Sequence, residues 1–416
     1  MKGSKFFLVI LIAAVTACGA PPKGEFVVTV KNPTAFERSD ELVEIPMNEL
    51  TTSMPLVTDE EFYVVTDGEG KEVPTQVSHD HKLMFPVAVK ANGTATYKVT
   101  VGIPEEAVSA VFGRHYPERV DDIAWENDVT AYRCYGPALQ ASGEKAFGYD
   151  IWVKNTPSLV VEERYANELN ADTKAQIDLL RKEKLYKEAD ELYHSVSYHV
   201  DHGNGMDCYK VGPTLGGGAD ALMDGDELVY PYCWADYEIM ENGPLRFMVR
   251  LIYNPFEYHG ETLTETRIIS LAKGSQLNRT QVSFSGLKKA SPLAAGIVVH
   301  PENAAGYTLE SDKGFIAVQD LTDNIANDNG EIYVGIVGGT TLKDTRYIPF
   351  TPSEAARRGA SGHVLAVGTI APNDTVTYWW GSAWSKAGWA SSEEWNNYLT
   401  DFATRVKNPL KVTYSK

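Results

Sequence analysis

The chain has 416 residues, 43% of them hydrophobic and 23% charged, and its 56 Asp and Glu outnumber 38 Lys and Arg to give a formal net charge of −18. That composition excludes a disordered, collagen-like or low-complexity protein, and the acidic balance excludes general binding to nucleic acid or to anionic lipid headgroups. An acidic sugar is not excluded, because a local cluster of Arg and Lys overrides the global sign.

At the start of the chain, Lys2 and Lys5 precede an apolar run from Phe6 to Val15, followed by Val15-Thr16-Ala17-Cys18. The run is too short for a permanent membrane span, and small residues lead straight into the cysteine. Residues 1–17 therefore resemble a bacterial lipoprotein signal peptide, with an ordinary signal peptide and an incidental cysteine as the alternative. Residues 18–24, rich in Gly and Pro, read as a tether. The expectation is a protein held on the periplasmic side of the outer membrane by the lipid on Cys18 alone. After lipidation Cys134, Cys208 and Cys233 remain, so at most one bridge forms. Their spacing matches no zinc motif, and they read as buried small apolar residues, with a Cys134 to Cys208 bridge as the lesser alternative.

From 25 to 103 the runs FVVTV, EFYVVT and ATYKVTV alternate in polarity between turns such as Asp67-Gly68-Glu69-Gly70, which predicts a small β-sandwich. Pro104-Glu105-Glu106 marks the join to a second region, 104–416, again dominated by strands: VYPYCWADYEIM, LRFMVRLIYN, ETRIISLA, NRTQVSFSG and TVTYWWG. Two segments depart from that period. Asp172 to about His194 reads as one amphipathic helix. Ser391, with Glu394 three positions later, caps a second helix carrying Trp395, Tyr398, Leu399, Phe402 and Val406 at helical spacing. The expected fold is mainly β, a large antiparallel β-sandwich with a small N-terminal sandwich and two short helical additions. Gly212 to Gly218 follows no strand-turn-helix pattern and reads as a loop.

Two blocks between Glu118 and Leu215 concentrate polar and aromatic residues: ERVDDIAWENDVTAYRCYGPAL and YHVDHGNGMDCYKVGPTLGGG. The second sets His199, Asp201 and His202 beside Gly203, Gly205, Asp207 and Tyr209. Imidazoles titrate near neutrality, so proton transfer is the chemistry this block points to. Aromatic rings can stack on sugar faces over a sheet, and Trp125 and Trp384 stand out from core aromatics because polar and small residues surround them.

These blocks, together with FGYDIWVKNTPSLVVEERY, ENGPLRF and WWGSAWSKAGW, give the chain a resemblance to a family of secreted bacterial proteins long filed as a domain of unknown function. The resemblance covers nearly all of the mature chain. It implies a galactose-mutarotase-like β-supersandwich and a carbohydrate-active role, because such proteins typically lie beside genes for pectin, ulvan or other uronide breakdown. Uronic-acid β-elimination is the most attractive form of that role.

Read from the residues, β-elimination needs three groups. Arg133, Arg246 or Lys154 would neutralise the sugar carboxylate, Arg with two parallel hydrogen bonds. His199 or His202 would take the C5 proton, with Asp201 or Asp207 fixing the tautomer. Tyr198, Tyr209 or Tyr135 would protonate the oxygen leaving C4, which makes the protein a dehydratase if that oxygen becomes water and a lyase if it belongs to the next sugar. Trp125, Glu126, Tyr135, Trp152, Lys154, Asp201, Asp207, Arg246 and Trp384 complete the expected acidic-oligosaccharide site, and no cofactor is required. Alternatives stay open. Either imidazole could brace Asp201, Arg119 and Asp121 could form structural ion pairs, and His199, His202 and Asp207 could hold a divalent metal. Glu126 and Asp207 could act as a glycoside hydrolase pair. Mutarotation, or an oligosaccharide-binding lipoprotein without catalysis, would use the same scaffold.

Overall fold

Alternation builds the first layer pair. In Phe26–Lys31 the side chains of Phe26, Val28 and Val30 are buried while their neighbours face outward, the period-two pattern of a half-covered strand. In the computed structural model, which describes residues 26–415 except 56, 59, 231, 304, 305, 323 and 324, this strand lies in a five-stranded sheet. A three-stranded sheet made of Arg38–Pro46, Lys82–Val89 and Gln76–Val77 contributes Val43, Ile45, Leu83 and Phe85 to the same apolar core. The signal peptide, Cys18 and the tether fall outside the described residues. The last strand of the chain, Lys411–Ser415, pairs antiparallel with Phe26–Lys31, Val412 opposite Val30. The N-terminal sandwich is thus completed by residues that the sequence reading places in the second region.

The second region is mainly β and antiparallel. A nine-stranded sheet that includes Arg246–Tyr253, Glu261–Ala272, Leu277–Ser285 and Val376–Trp384 forms one layer. The facing layer joins two five-stranded sheets. One runs in the order Gly205–Asp207, Tyr149–Lys154, Ala131–Cys134, Asp122–Asn127, Val111–Tyr116, and the other is centred on Ser291–Val299 and Gly362–Ile370. The glycines read as a loop are the seam between them. Gly217 N donates to Tyr149 O at 2.9 Å and Val298 N to Gly216 O at 3.0 Å, so backbone bonding continues from one sheet into the next. Gly216 has φ 57°, and a Cβ there would lie 2.4 Å from Tyr149 O, so a side chain has neither the conformation nor the room. The core between the layers contains Trp125, Tyr132 and Tyr149 against Phe247, Ile269, Val282 and Trp380, continued by Leu293, Ile297 and Val364.

Helices close the outer faces. There are seven α-helices among the described residues, more than the two expected. The predicted helix over 172–194 is two, Ala171–Lys182 and Tyr186–Val196, separated at Lys184, which adopts φ 63°. Ser392–Lys407 starts where the capping pattern predicts, with Ser391 Oγ accepting from Glu394 N at 3.2 Å, and packs Trp395, Leu399 and Ala403 on the nine-stranded sheet. Val161–Glu168, not anticipated, lays Val161 and Tyr165 over the sheet that carries both polar blocks. No helix among the described residues is long and apolar enough to cross a membrane.

Candidate functional site

Strand register divides the first polar block between two faces. Arg133 is paired with Asp150 on one side and Ala124 on the other, and Trp152 is paired with Asp207 and Ala131. Side chains directly opposite one another share a face, so Arg133, Asp150, Trp152 and Asp207 stand together beneath the helix Val161–Glu168. The intervening residues Trp125, Tyr132, Tyr149 and Ile151 point into the core.

Arg133 is the hub. Its Nη2 bonds Asp150, donates to Asp207 Oδ2 at 2.8 Å and reaches the Tyr135 hydroxyl at 3.2 Å, while Nη1 lies 3.7 Å from Asp122 Oδ2. All three carboxylates and the guanidinium are buried. Trp152 donates its indole N–H to Asp150 at 3.2 Å and lies 5.1 Å from the guanidinium carbon. Tyr198 packs on Trp152 with ring centroids 4.7 Å apart, and its hydroxyl accepts from Arg119 Nε at 3.1 Å. His199, about half exposed with 49% of its side-chain surface accessible, places Nδ1 3.6 Å from Asp207 Oδ2 and 3.2 Å from the Asp207 carbonyl.

Arg133 alone contacts all three carboxylates, with Arg119 and Arg164 further off, and burial makes the charge on these acids costly. Burial and the adjacent Asp150 charge push the Asp207 carboxyl up to about 7, against the pull of Arg133. Burial raises Asp122 to about 6, opposed by Arg133 and Arg119. Burial also raises the Tyr198 phenol, although both guanidiniums pull the other way. Burial works against the charge on Arg133, yet Tyr135, Asp150 and Asp207 hold its proton more firmly than usual.

The other expected site residues lie elsewhere. Trp125 is core: its N–H donates to Asn278 Oδ1 at 2.8 Å and its ring stacks on Phe247. Trp384 is buried and donates to Asn329 O at 2.7 Å. Lys154 and Glu126 form a buried pair at 2.6 Å, and Glu126 also accepts from the backbone of Val160 and Val161, which fixes the start of the covering helix. Neither group is available as a carboxylate clamp or a hydrolytic acid. Arg246 belongs to the nine-stranded sheet and binds Glu44 and Glu241 at the junction with the N-terminal sandwich. Tyr209 is buried in the main core. Asp201 accepts from Gly203 N and Gly205 N, and His202 Nε2 lies 3.0 Å from Ser197 O, so both brace their own loop. His202 and His199 do not converge with Asp207 on a metal geometry: among the described residues no group of three His, Cys, Asp or Glu is placed to hold an ion. Cys134, Cys208 and Cys233 are free and buried.

Sequence reasoning missed Asp150 and Asp122 as partners of Arg133, and it weighed structural ion pairing for Arg119, which in the structure bonds the Tyr198 hydroxyl. The available signal for Asp150 was a single carboxylate in the strand Tyr149–Lys154, flanked by Tyr149, Ile151, Trp152 and Val153, an acid that needs a buried partner.

A family model described as a domain of unknown function, DUF4861, matches residues 30–412. The chain is 25% identical over 429 residues to an uncharacterized protein, P7, of Formosa agariphila, a match covering 98% of each. Among solved structures it is similar to an alpha-mannosidase from Enterococcus faecalis V583, with a TM-score of 0.47 and 9% identity over 95% of this chain and 46% of that one. A protein in the glycosyl hydrolase family 38 from Enterococcus faecalis gives 0.46 and 9% over 95% and 48%. The chain spans about half the length of these solved structures.

Proposed function

The chain belongs to DUF4861, a family defined as a domain of unknown function, and we propose from its own side chains that it is a carbohydrate-active enzyme performing β-elimination on a uronic-acid-containing oligosaccharide. The observation that carries this reading is the accessible His199 imidazole beside a carboxyl, Asp207, that burial and Asp150 hold at about 7. Hydrogen-bonded through Nδ1, the ring keeps Nε2 for the C5 proton, and ionised Asp207 steadies the imidazolium that results.

Arg133, one of three residues expected to clamp the substrate carboxylate, is buried and already bonds Asp150 and Asp207. Arg119 is the better clamp, because its guanidinium bonds the Tyr198 hydroxyl and leaves further donors for a carboxylate. The Tyr198 ring is buried against Trp152 and Tyr165, and because its oxygen accepts from Arg119 the hydroxyl keeps its own proton to give to the oxygen leaving C4. The C5–H and C4–O bonds break, the C4–C5 double bond forms, and the proton taken by His199 balances the one given by Tyr198. Whether water or a sugar departs makes the enzyme a dehydratase or a lyase. The leader sequence supports a lipid-anchored location on the periplasmic side of the outer membrane, which labelling of Cys18 with a radioactive fatty acid tests.

Incubating the mature protein with uronate oligosaccharides and following the ultraviolet absorbance of the conjugated product tests the chemistry. The expected result is a growing signal that falls by about 10²-fold or more in His199→Ala, the usual loss on removing a general base. Ligand binding with no such signal across pectin-, ulvan- and related uronates would overturn elimination in favour of a binding lipoprotein.

A further inference from the structure

Away from this site, a cleft of about 550 Å³ opens between the N-terminal sandwich, the outer face of the nine-stranded sheet and the second half of the helix Ser392–Lys407. That volume falls in the usual range of ligand pockets, about 300–1,000 Å³. Five cations line it: Arg38, Arg246, Lys273, Arg279 and Arg405. Its carboxylates are Asp40, Glu41 and Glu44, and each is already held by a cation. Lys273 Nζ is 3.0 Å from Asp40, Arg38 binds Glu41, and Arg246 binds Glu44. Behind Arg246, Glu241 is held by that same arginine and by His79.

Two guanidiniums are left over. Arg279 donates to the neutral amide of Gln281 at 2.8 Å, and Arg405 lies over the Phe36 ring with its Nε buried and without a hydrogen-bond partner. Burial and the nearby positive charge of Arg246 make the charged form of Arg279 harder to hold than usual, a cost that an anion between the two arginines would relieve. Trp379 and Phe402 line the same cleft, with ring centroids 6.1 Å apart at 62°. In a chain of net charge −18, two guanidiniums with no carboxylate partner among the described residues, set beside an indole, are a local arrangement for one kind of ligand.

We propose that this cleft is a second saccharide site, which binds an anionic sugar by stacking its ring on Trp379 and holding its carboxylate or sulfate between Arg279 and Arg405. Arg recognises either oxyanion through paired N–H donors, and an indole stacks on the C–H face of a sugar ring. The site is separate from the His199 centre and does not depend on the reaction assigned there. It would keep a polymer attached while a chain end is processed elsewhere on the surface.

Modification of arginines by phenylglyoxal, mapped by peptide mass, tests this on the mature protein carrying His199→Ala, so that no probe is consumed. The probes are digalacturonate, a sulfated disaccharide and neutral digalactose. Digalacturonate or the sulfated sugar should protect Arg279 and Arg405, digalactose should not, and the stronger of the two protectors identifies the anion. Arg279→Gln and Arg405→Gln should each weaken binding of that probe about tenfold or more, the worth of one charge-assisted hydrogen bond, with Arg279→Lys between them and the parent. Protection of Arg119 while Arg279 and Arg405 react at their free rates would overturn the cleft proposal and leave the elimination reading standing. Equal protection by digalactose would overturn it too.

Discussion

Arg133 holds Asp150 and Asp207 on one nitrogen and has Asp122 near another, so the charge state of this cluster is set by which acids keep a proton. Asp207 at about 7 and Asp122 at about 6 lie well above the ordinary value of 3.8. The folded protein therefore holds protons that the unfolded chain has released. The associated stability is fully present below the unfolded value and is lost as pH rises through about 6 and then about 7. Thermal unfolding midpoints should decline across that window, and Asp207→Asn, which cannot ionise, should flatten the decline. Activity should run the other way. If ionised Asp207 supports the His199 base, kcat/KM rises with pH through about 7, and Asp207→Asn removes that limb from a pH–rate profile. Arg133→Met should cost about 3–5 kcal/mol by chemical denaturation, because it strands buried carboxylates without a cation. Adding Asp150→Asn should restore part of that loss, a coupling that a double-mutant cycle measures.

Elements with one covered face were legible in the sequence, and those with two were not. Phe26–Lys31 alternates and was readable, but Asp122–Asn127 and Tyr149–Lys154 are buried at every position, one face against the main core and the other beneath a helix. A strand covered on both sides carries no polarity period. Nothing local then tells that Trp125 turns inward while Arg133, on the neighbouring strand, turns toward the helices, since a shift of one residue exchanges the faces. The helix Val161–Glu168 was invisible for a related reason. Its first N–H groups are satisfied by Glu126, 35 residues earlier in the case of Val161, so the cap is tertiary and leaves no local motif. Ser391 caps its own helix through a local bond, and that start was readable from spacing alone. Ser391→Ala should cost about 1 kcal/mol in a denaturant titration, with no change in ligand binding at His199.

At the scale of the molecule, the sandwich, its antiparallel layers and the concentration of polar residues between Glu118 and Leu215 follow from strand periodicity and residue chemistry. Which of those polar residues meet does not, because the pairing is made between strands that the sequence does not align. The same holds for the arginine-lined cleft, whose residues come from segments as far apart as Arg38 and Arg405. The return of the chain to its start has a test of its own. Removing Lys411–Ser415 strips one of the two ladders from Phe26–Lys31, leaves the other to Thr94–Gly102, and makes Phe26–Lys31 the edge strand. Limited proteolysis of that truncated protein should cut the N-terminal sandwich first, while the core around Trp125 and Trp380 stays protected.

That pairing also decides how the protein answers to force. Val27 lies opposite Ser415 and Lys31 opposite Lys411, so the two ends of the described chain leave the sheet side by side. A pull applied at these ends loads the bonds of an antiparallel ladder one after another, as a zip opens, instead of all together in shear. The terminal strand would peel away at low tension while the layers of the large sandwich remain folded.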